Sequence, residues 1–78
     1  MPRVIVYSTP TCPYCEKTKE FLAEHNIDFE DVNVAEDRER AMEMVEKSGQ
    51  MGVPVTDIDG EIIVGYDPAA FKKALGLE

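Results

Sequence analysis

Residues 8–19, Ser-Thr-Pro-Thr-Cys-Pro-Tyr-Cys-Glu-Lys-Thr-Lys, lie where a strand pattern changes into a helix pattern. Residues 3–7 before them are apolar without polar alternation after Arg3, which is typical of a central strand covered on both faces. After them, apolar positions at spacings of three and four predict a helix from about Pro13 to about His25. These positions are Tyr14, Cys15, Thr18, Phe21 and Leu22. Pro13 suits the first turn because its missing N–H has no helical partner there, so Cys12 is predicted to lie at the helix N-terminus.

The positions of Cys12 and Cys15 predict redox chemistry. Free backbone N–H groups and the helix dipole favour negative charge at a helix N-terminus, so a thiolate at Cys12 is expected to be stabilised. Cys15 follows one turn later on the same face and is expected to be the more buried of the two. Cys12 then attacks a substrate disulfide, and Cys15 attacks the resulting mixed disulfide at the Cys12 sulfur.

A zinc site and a structural disulfide are two other interpretations of the cysteine pair. Zinc sites usually need four Cys or His ligands, and here the pair is accompanied only by His25, so a zinc site needs ligands from a second chain. A purely structural disulfide that closes so few residues constrains the unfolded chain little. A Cys-x-x-Cys between a predicted strand and a helix therefore favours catalysis.

The middle of the chain predicts one further strand and one further helix. Residues 27–34 alternate imperfectly between apolar and acidic side chains and are predicted to form a strand at the solvated edge of a sheet. Glu36 to Ser48 are predicted to form a helix that ends at Gly49. Its expected apolar stripe consists of Ala41, Met42 and Val45, with Met44 as a further candidate.

The C-terminal third predicts a hairpin followed by a helix. Residues 55–58 and 61–65 flank Asp59-Gly60, a strong signal for a two-residue turn between antiparallel strands. Asp67-Pro68 then predicts the N-cap and first residue of a helix that ends near Leu75. The complete order is β-α-β-α-β-β-α, an α/β fold with a four-stranded mixed sheet flanked by helices.

Cys12-Pro13-Tyr14-Cys15 resembles the glutaredoxin active site, and the resemblance covers nearly the whole chain. It implies the thioredoxin fold. Val53-Pro54 is similar to the family's Val-Pro pair, whose proline is cis and faces the cysteines. Residues 65–67, Gly-Tyr-Asp, occupy the position of a Gly-Gly-x-Asp-Asp segment that helps glutaredoxins to bind glutathione.

Three residues depart from the glutaredoxin pattern. Val64 replaces the first of those glycines and Pro68 the last aspartate, while Thr9 stands where many glutaredoxins have a lysine for a glutathione carboxylate. These changes make the chain similar to small glutaredoxin-like redoxins, including those that feed electrons to ribonucleotide reductase. Members of that group are often reduced by a flavoprotein of the thioredoxin reductase type rather than by glutathione, so the resemblance leaves both electron donors open.

The resemblance implies a thiol–disulfide oxidoreductase that acts as an electron carrier and reduces protein disulfides or glutathione mixed disulfides. Cys12 and Cys15 are the expected catalytic residues. The expected substrate-binding residues are Thr11, Pro13, Tyr14, Val53, Pro54, Gly65, Tyr66 and Asp67. No tightly bound cofactor or metal is expected, and glutathione is a possible co-substrate. The alternative binding role is an iron–sulfur cluster held by Cys12 thiolates of two chains, against which the proline of the motif weighs.

Composition limits the remaining possibilities. Seventy-eight residues are expected to form one domain, 1–78. Sixteen acidic residues against eight basic ones give a net charge of −8, so the chain lacks the basic stripe that a nucleic-acid partner requires. No apolar run reaches membrane-spanning length and no secretory signal is apparent, so the expected location is the cytoplasm, without membrane attachment. The expected assembly is a monomer with disulfide-containing protein substrates as partners.

Overall fold

A computed structural model describes residues 3–77; residues 1, 2 and 78 of the predicted domain lie outside this range. The described chain contains three helices and four strands in the predicted α/β order. They are β1 (Val4–Ser8), α1 (Pro13–Glu24), β2 (Glu30–Asn33), α2 (Arg38–Ser48), β3 (Val55–Ile58), β4 (Glu61–Val64) and α3 (Pro68–Leu75).

The strands form one mixed sheet in the order β2-β1-β3-β4. β1 pairs in parallel with β2, as the helical crossover between them requires, and antiparallel with β3. The Asp59-Gly60 turn makes β3 and β4 antiparallel, and both turn residues have the positive φ that such a tight hairpin needs. All five residues of β1 are buried, which confirms the predicted central strand.

Alternate residues of β1 contribute to two cores on opposite faces of the sheet. Val4 and Val6 pack with Leu22 of α1 and Phe71 of α3 in one buried cluster. On the other face, a second cluster brings together side chains of β1, β2, β3 and α2. Its buried members are Ile5, Tyr7, Val32, Met44 and Val55. A sheet covered on both faces explains why β1 has no polar alternation.

Capping side chains set the helix starts. The Asp37 carboxylate accepts a hydrogen bond from the Arg40 N–H at 3.1 Å, and α2 therefore begins at Arg38 and not at Glu36 as predicted. Gly49 ends the same helix in the left-handed conformation, with φ 75°, as predicted. α1 ends at Glu24, and His25 is its C-cap residue.

Two sequence predictions about packing are wrong. β2 covers only Glu30–Asn33 instead of 27–34, and its ladder with β1 runs from the Ile5–Glu30 pair to the Ser8–Asn33 pair. Met42 is 60% exposed, while Met44 is 2% exposed. Ala41 shares a helical face with residues three and four positions later, and this face, not that of Met42, lies toward the sheet.

Each described helix is too short and too polar to cross a lipid bilayer. The longest has 12 residues, against the about 20 that a bilayer requires.

Candidate active site

Cys12 occupies the N-cap of α1. Its backbone is extended, with φ −103° and ψ 107°, and its Sγ accepts a hydrogen bond from the Cys15 N–H at 3.1 Å. The sulfur thus takes the place that a serine or aspartate oxygen fills at other helix starts. This arrangement confirms that Cys12 lies at the helix N-terminus, where backbone donors favour a negative charge on sulfur.

Cys15 is completely buried and forms a disulfide with Cys12. The two Cα atoms are 5.2 Å apart, within the range that a disulfide requires. Cys12 is only half-buried, so an incoming partner reaches the sulfur of Cys12 before that of Cys15. The predicted order of burial is confirmed, and the structure shows the oxidised state.

Aromatic side chains border the exposed side of α1. The Tyr14 ring is 59% exposed and lies 5.4 Å from the Lys17 ammonium. Tyr66 is 37% exposed, and together with Lys17 it lines a cavity of about 250 Å³ on α1. Thr11 and Pro13 are exposed beside Cys12. The predicted substrate-binding residues of α1 and its loop are therefore accessible.

The segment before β3 holds the predicted substrate-binding residues Val53 and Pro54. The Val53–Pro54 peptide bond is cis, as the resemblance implied, and Pro54 is buried. The Pro54 carbonyl accepts a hydrogen bond from the Gly65 N–H at 2.8 Å, which joins this segment to the one after β4. Within residues 3–77, the backbone of Val53 makes no hydrogen bond. Its polar groups are available to another chain.

Asp67 is the N-cap of α3. Its Oδ1 accepts a hydrogen bond from the Ala70 N–H at 3.2 Å, and Pro68 follows in the first turn. One carboxylate oxygen thus satisfies the helix start. The remaining charge opposes any anionic group brought to the same helix end.

Sequence analysis missed a polar cluster on the α2 face of the sheet. The Tyr7 hydroxyl donates a hydrogen bond to the Glu43 carboxylate, and the Lys47 ammonium donates to Tyr7 at 2.9 Å and to Asp57 at 2.7 Å. Burial raises the pKa of Tyr7, and so does the bond to Glu43. Burial acts to lower the pKa of Lys47, but its bonds to Asp57 and Tyr7 outweigh this and raise it. The bond from Tyr7 lowers the pKa of Glu43.

This cluster lies beside a cavity of about 620 Å³ that does not contain the cysteines. Asp57 pairs with Ile5 near the start of β1, whereas Cys12 follows the end of that strand. The cavity is therefore at the opposite end of the sheet from the disulfide. Its charged side chains are Arg3, Glu30, Arg40, Glu43, Lys47, Asp57 and Asp59. An aspartate in a strand whose other residues are uncharged is the sequence signal that could have indicated this ion pair.

His25 is not near the cysteines. It lies at the far end of α1 from Cys12, where its ring contacts Phe21 with centroids 4.3 Å apart and its Nδ1 is 2.9 Å from the Phe21 carbonyl oxygen. In residues 3–77, no group of three or more His, Cys, Asp or Glu side chains is arranged to hold a metal ion.

The architecture defines a thioredoxin-fold protein. Its backbone is similar to that of the thioredoxin-like protein BC3987, with a TM-score of 0.87, 28% identity, and coverage of 92% of this chain and 99% of the other. It is also similar to the NrdH-redoxin of Escherichia coli, with a TM-score of 0.80, 27% identity, and coverage of 91% and 92%.

The chain belongs to the glutaredoxin family, whose sequence model matches residues 4–63. It is 57% identical over 70 residues to an uncharacterised glutaredoxin-like protein from the rubredoxin operon of Clostridium pasteurianum, covering 90% of this chain and 93% of the relative. It is 33% identical to glutaredoxin 3 of Escherichia coli K12, with 86% and 81% covered. It is also 33% identical to the glutaredoxin-like protein NrdH of Lactococcus lactis subsp. lactis, with 90% and 96% covered.

Proposed function

We propose that this protein carries electrons to disulfide-containing proteins by dithiol–disulfide exchange at Cys12 and Cys15. The observation that carries the proposal is the Cys12 sulfur at the start of α1, in a disulfide with a fully buried Cys15. One accessible sulfur and one shielded sulfur in bonding range form a couple that can transfer two electrons.

The exchange proceeds in two steps. In the reduced protein, the Cys12 thiolate attacks one sulfur of the substrate disulfide; the substrate S–S bond breaks and one substrate thiolate leaves. The Cys15 sulfur then loses its proton and attacks the Cys12 sulfur of the mixed disulfide. The Cys12–Cys15 bond forms and the second substrate thiolate leaves, so the substrate gains two electrons. No general base is needed for the first step if Cys12 is already a thiolate.

The backbone of Val53 supports an extended peptide as the substrate. Its N–H and carbonyl groups have no partner within residues 3–77, and Tyr14 and Tyr66 are exposed. An extended segment that pairs with free backbone groups gains hydrogen bonds without sequence requirements. Tyr14 and Tyr66 then contact the side chains of that segment.

The electron donor that these residues favour is a flavoprotein of the thioredoxin reductase class. Thr9 offers no positive charge to a glutathione carboxylate, and Asp67 places a capping carboxylate at the start of α3. The Escherichia coli NrdH-redoxin, whose structure is similar, has a thioredoxin-like activity profile. Glutathione is then a slow donor, and the reducing cytosol is the proposed compartment.

Single cysteine variants test the exchange mechanism. Cys12→Ser should abolish reduction of insulin disulfides by dithiothreitol through this protein, since no nucleophile remains at the helix start. Cys15→Ser should also stop dithiol turnover but should still form a mixed disulfide at Cys12, detectable by mass spectrometry. Disulfide reduction by the Cys12→Ser variant at the rate of the unaltered protein would contradict the mechanism.

Equilibration with defined glutathione buffers tests the electron donor. After acid quenching, mass spectrometry gives the oxidised fraction and hence the reduction potential. Slow exchange and a potential near about −270 mV, as in thioredoxin, would support a flavoprotein donor. Fast exchange near about −200 to −230 mV, as in glutaredoxins, would instead assign glutathione as the donor.

A further inference from the structure

Thr56 contains an unpaired buried hydroxyl. The residue is completely buried on β3, and within residues 3–77 its Oγ1 is the one buried side-chain oxygen or nitrogen that has no hydrogen-bond partner. Leaving such a group unpaired costs about 1–3 kcal/mol. A methyl group in place of the hydroxyl would fill the same space without that cost. In the oxidised structure, the Thr56 hydroxyl therefore does not stabilise the fold.

The sheet register places Thr56 on the face of the sheet that α1 covers. Thr56 pairs with Val6, and directly opposed residues of antiparallel strands point to the same face. Val6 packs against α1, so the Thr56 side chain also lies on the α1 face. Because α1 follows β1 and packs back along it, its first turns cover the C-terminal half of that strand. Cys15 and Thr18 are the buried residues of those turns.

The two buried hydroxyls in this region are in different situations. Thr18 Oγ1 donates a hydrogen bond to the Tyr14 carbonyl at 3.0 Å, so its hydrogen-bonding capacity is used within α1. Thr56 Oγ1 is unused, and Cys15 is a buried residue of the helix that covers this face, whose chemistry changes during turnover. In the disulfide, Cys15 carries no proton and no charge. After reduction, Cys15 carries either a proton or a negative charge at a position that is shielded from water.

We propose that Thr56 is a positioning residue for Cys15, and that its hydroxyl forms a hydrogen bond with the Cys15 sulfur in the reduced protein, directly or through one water molecule. This proposal rests on the dithiol exchange proposed above. A dithiol donor supplies two electrons that break the Cys12–Cys15 bond and is itself oxidised to a disulfide; one of its two protons goes to Cys15, the other goes to solvent, and Cys12 is left as a thiolate. A hydroxyl can accept a hydrogen bond from this S–H group and can rotate to donate one when Cys15 loses its proton to attack.

The proposal predicts a slower resolving step in a Thr56→Val variant. Stopped-flow mixing of reduced protein with dithiobis(nitrobenzoate) should release nitrothiobenzoate in two phases. The first phase, attack by Cys12, depends on reagent concentration and should be unchanged. The second phase, attack by Cys15 on the mixed disulfide, is independent of concentration and should be about tenfold slower, the loss expected for a hydrogen bond to a charged group. Thr56→Ser should restore it.

A matched control is Thr18→Val, which makes the same change in an equally buried residue whose hydroxyl is already bonded. Its second phase should stay within about twofold of the unaltered protein. Equal slowing in the Thr18 and Thr56 variants would overturn the proposal, because general packing would then be the cause. Absence of the first phase in the unaltered protein would instead refute the exchange mechanism itself.

The redox equilibrium gives an independent measurement that does not depend on rates. Thr56→Val should stabilise the oxidised form relative to the reduced form, so its equilibrium with dithiothreitol should shift about tenfold toward the disulfide. This corresponds to a potential more negative by about 30 mV. If the substitution changes the urea unfolding midpoints of both redox forms equally and leaves the equilibrium unchanged, the hydroxyl has only a structural role and the proposal fails.

Discussion

Replacing Lys47 should destabilise the fold because it leaves Asp57 without its cation. Lys47 Nζ lies 2.7 Å from Asp57 Oδ2, and the side-chain exposures are 31% for the lysine and 11% for the aspartate. After Lys47→Met, Asp57 keeps one hydrogen bond, from the Gly60 N–H at 2.8 Å to its other oxygen. A nearly buried carboxylate then lacks its charged partner on one side.

The expected loss follows from the burial of the pair. Breaking a fully buried ion pair costs about 3–5 kcal/mol, and exposed pairs contribute about 0–1 kcal/mol. Because Lys47 is partly solvated, an intermediate loss of about 2 kcal/mol is expected. In a domain of this size that corresponds to a Tm lower by about 8–16 °C. The same variant also removes a donor from the Tyr7 hydroxyl, which acts in the same direction.

Urea unfolding followed by circular dichroism measures this loss, with Lys73→Met as the control for an exposed lysine on another helix. Adding Asp57→Asn to Lys47→Met should recover part of the stability, because the buried carboxylate is then neutral. The thiol exchange rate of Cys12 should not change, since the cluster lies at the other end of the sheet. A loss below about 0.5 kcal/mol, or one equal to that of the control, would refute the reasoning.

The remaining predictions concern pH and helix capping. The pKa of Tyr7 is raised by burial, and that of Lys47 by its bonds to Asp57 and Tyr7 against the opposing effect of burial. The stabilisation that Tyr7 and Lys47 give to the folded protein is fully present below about pH 10. It is lost as pH rises through their folded-state pKa values, so the Tm should fall above about pH 10. Tyr7→Phe should lessen this fall, and an identical decline in both proteins would argue against it. Asp67→Ala should lower the free energy of unfolding by about 1 kcal/mol, whereas Asp67→Asn should nearly preserve it; equal losses in the two variants would exclude capping.

Local sequence signals determined the elements around the disulfide. The apolar run of β1 and the proline after Cys12 were sufficient to place the strand, the loop and the helix start. Asp59-Gly60 and Asp67-Pro68 similarly determined the hairpin and the start of α3. These signals act within a few residues through allowed φ values and unpaired N–H groups, so neighbouring chain segments hardly alter them.

Predictions failed where a partner in another element decides the outcome. The apolar residues Ile27 and Phe29 suggested a longer β2, but both are half-buried outside the strand because the ladder with β1 begins at Glu30. Met42 has the hydrophobicity of a core residue, yet the orientation of α2 on the sheet turns it toward solvent. The hydrophobicity of a side chain such as that of Met42 allows burial. The packing of α2 decides which of its side chains the sheet covers.

The sequence by itself determined the chemistry: a cysteine pair at a helix start, in a chain small enough for one α/β sheet. Only the tertiary structure brought Gly65 to Pro54, Lys47 to Asp57, and Thr56 to the sheet face that α1 covers. The Lys47–Asp57 and Thr56 contacts join segments separated by at least ten residues, and strand register and helix packing decide which of many possible partners meet. Local propensity carries no information about such partners, because each contact depends on the strand register and helix packing of the whole sheet.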